Sequence, residues 1–167
     1  MMTNDRHNTE VTLRHGVRFP SLRLERAYDV PVSRAWQAVS SPEQINVWWA
    51  PMKVELELEP GGTITFGWPG GEPDKGQVLE VDAPTLLAYQ WDQEVLRWEL
   101  RQEGDGCVLT LTTDVQDPDH VADTAAGWHA GLDMLGDHLA GREVREPEGG
   151  PAPEALVAHY RETLMKG

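Results

Sequence analysis

The chain has 167 residues, and its 14 Lys and Arg against 28 Asp and Glu give a net charge of −14. One core is the economical reading of that length, and scattered acids repel phosphate backbones and anionic membranes, which argues against nucleic-acid and membrane-surface roles. The one cysteine, Cys107, excludes an internal disulfide; no run nears the roughly 18 apolar residues of a membrane span, and "MMTNDRHNTE" lacks the apolar segment of a signal peptide, so a cytoplasmic protein is expected.

Residues 1–10 are polar, and a flexible N-terminus is expected there. "VTLRHGVRF" and "SLRLERAYDV" then alternate, the second setting Leu22, Leu24 and Tyr28 on one face of a strand. The period changes in "PVSRAWQAVS", where Val32, Ala35, Trp36 and Val39 fall at helical spacing. "SSPEQINVWW" opens a second short helix with Ser41 as N-cap, Pro42 at the first helical position and Gln44 three residues after the cap.

From Met52 to Asp114 turn signals separate six alternating runs. Their apolar sides are Val54, Leu56 and Leu58; Ile64, Phe66 and Trp68; Gln77, Leu79 and Val81; Leu87, Tyr89 and Trp91; Leu96, Trp98 and Leu100; and Cys107, Leu109 and Leu111. Short connections predict an antiparallel meander with one apolar face. A long helix follows, with Asp117 or Asp119 as N-cap and Gly141 as its stop. Val121, Ala125, Trp128, Leu132, Leu135 and Leu139 form its apolar stripe. A Pro/Gly/Glu linker then leads to "PEALVAHYRETLMK", a short helix with Leu156, His159, Tyr160 and Leu164 on one side. Together these elements predict an α+β fold, a curved antiparallel sheet of about seven strands around a long C-terminal helix with two short helices after the first strand. A sheet so curved cannot lie flat along one helix, and a cavity, open or filled, is expected between them.

The order and spacing of "ERAYDVPVSRAWQAVSSPEQINVWWAP", "PGGTITF", "GQVLEVDAPTLLAYQW", "LRWELRQEGDGCVLTLT" and "AAGWHAGLDMLGDHLAG" resemble the START-like helix-grip superfamily, also called SRPBCC. Within it they resemble the family of homologues of the activator of the ninety-kilodalton heat-shock-protein ATPase. The resemblance implies a helix-grip domain over 11–142, with 143–167 as a linker and a short helix packed on the same domain. It also implies a hydrophobic cavity of the kind that takes lipids, sterols or polyketides in many members. Function transfers less readily than fold, because that cavity is reused for several tasks.

The aromatic residues Trp48, Trp49, Phe66, Trp68, Tyr89, Trp91, Trp98 and Trp128, with Leu132, are the candidate cavity lining. They read equally as the core of a curved sheet, but an indole N–H wants a partner, and several indoles on one face suit a cavity with polar points. His129 stands at the edge of the helical stripe among small residues. It reads as a hydrogen-bonded structural histidine, as a group orienting a ligand, or as an acid or base. Gly127 and Gly131 cost helix stability, and close approach to another element would explain them. No histidine spacing predicts a metal site, and no cofactor fingerprint is present.

The leading expectation is a binding protein for a small apolar or amphipathic ligand, lipid-like or aromatic. The alternatives are a cyclase-, aromatase- or hydrolase-like enzyme in the same cavity, and a protein-interaction or co-chaperone-like module. A homodimer through a strand edge or the C-terminal helix is compatible with each.

Overall fold

The computed structural model of the protein describes residues 9–15, 19–49, 53–67, 70–144 and 152–165. In chain order its elements are β1 (Glu10–His15), β2 (Pro20–Tyr28), α1 (Val32–Ser40), α2 (Pro42–Trp48), β3 (Lys53–Leu56), β4 (Thr63–Gly67), β5 (Asp74–Asp82), β6 (Leu86–Trp91), β7 (Glu94–Glu103), β8 (Gly106–Asp114), α3 (Val121–Leu139) and α4 (Glu154–Leu164). The strands make one antiparallel sheet in the order β1-β2-β8-β7-β6-β5-β4-β3. Among the described residues no helix is long and apolar enough to cross a membrane.

Alternation decides which side chains face the helices. Leu22 and Leu24 of β2, Leu109 and Leu111 of β8, Leu96 and Trp98 of β7, Leu87 and Tyr89 of β6, and Ile64 and Phe66 of β4 are all buried. The stripe on α3 meets them, with Val121, Ala125, Leu132, Leu135 and Leu139 buried and Trp128 partly so. Each large side chain sealed here contributes about 1.5–3 kcal/mol from apolar burial. Cys107 lies fully buried on β8, and burial pushes its thiol up to about 11, which leaves it a small apolar filler.

Tight turns explain the meander. β7 and β8 are joined through Gly104 and Asp105, and Gly104 takes the positive φ of 60° that a two-residue hairpin requires. Gly141 ends the α3 segment at φ 73°. Asp117 accepts the Asp119 N–H at 2.9 Å and caps the single 3₁₀ turn, Pro118–His120, that leads into α3.

Four features depart from the sequence-based expectation. The sheet has eight strands, because Glu10–His15 pairs with β2 as an edge strand, Leu13 opposite Leu22. On β5 the inward residue is Val78, 1% exposed, while Leu79 is 39% exposed. The register with β6 shifts between Val78 and Glu80, so Leu79 is the extra residue of a bulge, and of the expected Gln77, Leu79 and Val81 face only Val81 packs against the core. β3 stops at Leu56, which leaves Leu58 exposed. Ser41 precedes α2 as expected, but its side chain makes no capping bond. Gln44 instead ties three helices together: its Oε1 accepts from Arg34 of α1 at 2.8 Å and lies 3.1 Å from Nε2 of His138 on α3.

Further bonds fix the short helices over the sheet. The Trp48 N–H donates to the Ala38 carbonyl at 2.8 Å. The Asn46 side chain accepts the Val54 N–H at 2.6 Å and donates to the Val54 carbonyl at 3.3 Å, standing in for a neighbouring strand at the edge of β3. On α3, Tyr28 donates to the Leu132 carbonyl at 2.8 Å, and Gly136 lies against the Tyr28 ring. A Cβ added at Gly131 would meet only the Trp128 ring of the same helix, at 3.6 Å. The small residue there leaves room for an indole.

α4 packs on α3. Tyr160 is buried, Leu156, Val157 and Leu164 are half-buried, and His159 stays exposed. It braces the outside of the gripped helix.

Candidate ligand-binding site

The end of α2 brings two indoles into the concave side of the sheet. Trp48 is the last helical residue and is 1% exposed; Trp49, just past it, is half-buried. Alternation on β4 and β6 aims Phe66, Tyr89 and Trp91 to the same side, β7 adds Trp98, and α3 adds Trp128 and Leu132 from above. Trp68 lies outside the described residues. Seven of the eight aromatic candidates thus meet in one cluster.

Their rings interlock. Trp48 stacks on Trp49 at 5.7 Å and 7°, and meets Trp98 edge-on at 6.2 Å. Phe66 stacks on Trp91 at 4.0 Å and 9° and tilts against Tyr89 at 5.8 Å. Trp128 lies 5.1 Å from Trp49 and 5.6 Å from Trp98. Such offset and edge-on pairs add about 0.5–1.5 kcal/mol each beyond their buried area. Among the described residues the expected cavity is filled by side chains: the space left among Trp48, Trp49, Ile64, Tyr89 and Trp98 is too small to admit a water molecule.

The polar atoms of the cluster are almost all donors. Trp98 donates its N–H to the Tyr89 hydroxyl at 3.0 Å, and Trp91 donates to Asp74 at 3.3 Å. Tyr89 is 3% exposed, and burial holds its hydroxyl far above the usual phenol range, so it remains a proton donor. Among the described residues its own proton has no acceptor; the N–H groups of Trp49 and Trp128 make no hydrogen bond there either, but they belong to half-buried residues and are not sealed from solvent. Among the described residues no carboxylate, histidine or lysine lines the narrow space beside Tyr89. At the rim a shallow open depression of about 370 Å³ adjoins Trp91, bordered by Asp74, Lys75, Asp92, Glu94 and Gln116.

The structure sets His129 apart from the rings. Its Nδ1 lies 2.7 Å from the Tyr160 hydroxyl of α4 and its Nε2 3.7 Å from Asp133 one turn on. Asp133 also bonds Arg26 of β2. With the Tyr160 hydroxyl donating to Nδ1, the Nε2–H is left facing the Asp133 carboxylate. The chain from β2 through Asp133 and His129 to Tyr160 fastens both helices. Of its members sequence reasoning singled out only His129; the i, i+4 spacing of His129 and Asp133 was the available sign, but partners on β2 and α4 have no local signature.

Burial lowers the His129 pKa from its ordinary 6.5, with Arg26 and His159 adding to that effect and Asp133 opposing it. Below 6.5 the unfolded chain therefore binds a proton that the native ring resists, so this contribution to stability is full above that pH and declines beneath it. Burial lowers His138 in the same direction. The urea midpoint is expected to fall between about pH 7.5 and about pH 5.5, and His129→Gln to fall less steeply. Equal slopes in the two proteins would remove His129 from the account.

Comparison with known proteins agrees with this geometry. The family model described as "Activator of Hsp90 ATPase homolog 1-like protein" matches residues 29–140, well over half of the chain. No protein of curated function matches the sequence. Among solved structures, CalU16 from Micromonospora echinospora is 25% identical, with 94% of this chain and 96% of that one covered at a TM-score of 0.74. The conserved protein of unknown function EF2215 from Enterococcus faecalis superposes over 93% and 91% of the two chains at 20% identity and a TM-score of 0.74. Protein MLL2253 from Mesorhizobium loti shares the fold at 21% identity and a TM-score of 0.65, over 72% of this chain and 96% of its own. With its eight-stranded sheet gripping α3 and the family match running from α1 through α3, the chain belongs to the family of Activator of Hsp90 ATPase homolog 1-like proteins, within the START-like helix-grip superfamily.

Proposed function

We propose that the protein binds a small apolar or amphipathic molecule at the aromatic cluster between sheet and α3, with no catalytic step. One observation carries this reading: the buried Tyr89 hydroxyl accepts from Trp98 but has no acceptor for its own proton among the described residues, and the half-buried Trp49 and Trp128 present unpaired N–H groups in the same cluster. A core built only for stability would pair a buried hydroxyl proton, since leaving one unpaired costs about 1–3 kcal/mol. Apolar walls with a few convergent donors suit a ligand that is mostly apolar and carries a hydrogen-bond acceptor. The helix-grip family membership supports the same class of partner.

The test is titration of intrinsic fluorescence with 2-naphthol, 1-decanol and a neutral sterol. A saturable change in tryptophan emission is expected for at least one of them. Tyr89→Phe should weaken the acceptor-bearing ligand that binds by about three- to tenfold, the worth of one hydrogen bond. Emission unchanged across the whole set at concentrations up to solubility would refute the reading.

A further inference from the structure

The rings of the cluster are not equivalent. Phe66 and Trp91 project from strands and Trp128 from mid-α3, while Trp48 closes the last turn of α2. Trp49 lies beyond that turn, at φ −104° and ψ 33°, anchored to the helix through its own N–H to the Ile45 carbonyl at 2.8 Å. Its torsions can change at the cost of the one backbone bond it makes among the described residues, whereas moving any of the other four disturbs a ladder or a helix.

Around the Trp49 indole the other rings form a box. Trp48 is parallel to it at 5.7 Å, Phe66 and Trp91 stand edge-on at 6.0 and 6.1 Å, and Trp128 is tilted at 5.1 Å. The box has supports of its own: Phe66 stacks directly on Trp91, and Trp98 touches both Trp48 and Trp128. Trp49 itself is half-buried at the open edge, and its indole N–H has no hydrogen bond among the described residues. Ring contacts hold it, and any flat aromatic of similar size could supply the same contacts.

We infer that the Trp49 indole is an internal plug, occupying the box when no ligand is present and leaving it when a flat aromatic ligand enters. The inference rests on the binding reading above and adds to it the ligand class, a planar, non-anionic aromatic of about two fused rings bearing an acceptor, and the gating residue. Planarity follows from the ring that fills the box now. An anion is disfavoured, because the rings of the box carry no cation and the rim beside Trp91 sets Asp74, Asp92 and Glu94 against Lys75, in a chain of net charge −14. Displacing a plug taxes affinity: if the plug-out state is populated at about 10% or less, the apparent Kd is raised about tenfold or more, and removing the indole should recover that factor.

The experiment compares wild type with Trp49→Gly in calorimetric titrations with indole, 2-naphthol and 1-decanol. The variant should bind indole and 2-naphthol about tenfold or more tightly than wild type does and gain less for the flexible 1-decanol. Equal affinity of the two proteins for 2-naphthol overturns the plug while leaving the binding reading intact. If the flat probes bind neither protein, the plug fails, and 1-decanol separates the two ideas: its binding preserves the broader reading, and its failure removes both. Should Trp49→Gly fail to fold, wild type carrying 5-fluorotryptophan decides the matter by ¹⁹F NMR. Saturation with 2-naphthol should move the Trp49 resonance to a solvent-exposed position, and a Trp49 signal that stays buried at saturation overturns the inference.

Discussion

Replacing Trp98 with alanine is expected to destabilise the protein by about 3–5 kcal/mol, the range for removing a fully buried large aromatic side chain. Trp98 is 1% exposed, contacts Trp48 and Trp128 edge-on, and gives its N–H to Tyr89. Its loss removes apolar burial, two ring contacts and the one bond that the Tyr89 hydroxyl makes among the described residues. The rings around it come from three different elements, so the vacancy cannot be closed by shifting one of them. Urea denaturation of the variant should show the loss as a lowered midpoint with an unchanged slope. A loss below about 1 kcal/mol would mean that the neighbouring rings collapse into the gap, and the cluster would then be far softer than its interlocked geometry indicates.

Gly76→Ala is expected to cost about 3 kcal/mol or more, the upper end for overpacking, because the strain falls on backbone. Gly76 lies on β5 opposite Trp91, and a Cβ there would sit 2.0 Å from the Gln90 carbonyl oxygen and 3.1 Å from the Ile64 side chain. Strands β5 and β6 would have to separate, and Trp91 rides on β6. The effect should therefore appear twice, as a lower melting temperature and as changed emission from the aromatic cluster. A variant as stable as wild type would show that the pairing of these strands yields easily, contrary to the close approach that the glycine permits.

The framework of the fold is legible in the sequence because it rests on long periodic signals. The 4-3-4-3-4 spacing from Val121 to Leu139 marks the buried side of α3, and alternation marks Leu22 and Leu24, Ile64 and Phe66, or Leu109 and Leu111 as core. The departures occur where periodicity has no say. The bulge at Leu79 reverses the parity of β5, and nothing in "QVLEV" distinguishes a bulged strand from a regular one. Gln44 fits a capping box by position, yet Arg34 and His138, distant in sequence, claim its amide. The same limit applies to the site. Seven of the aromatic candidates converge: inward alternation places Phe66, Tyr89, Trp91 and Trp98, and the helical stripe places Trp128. His129 lies at the stripe's edge as its angle on the helix requires, but what waits there is Tyr160, on a helix beyond a linker. Which ring fills the expected cavity was not legible, because Trp49 follows the end of α2, where helical spacing no longer assigns a side.

A ligand entering the aromatic cluster beneath α3 is reported directly by the indole N–H signals of the seven tryptophans. In ¹H–¹⁵N correlation spectra titrated with 2-naphthol, the Trp49, Trp98 and Trp128 indole signals should shift saturably. Trp36 should hold still, since it sits on α1 and makes no ring contact with the cluster among the described residues. Saturable shifts confined to Trp36 and to surface amides, with Trp49, Trp98 and Trp128 unmoved, would contradict the account.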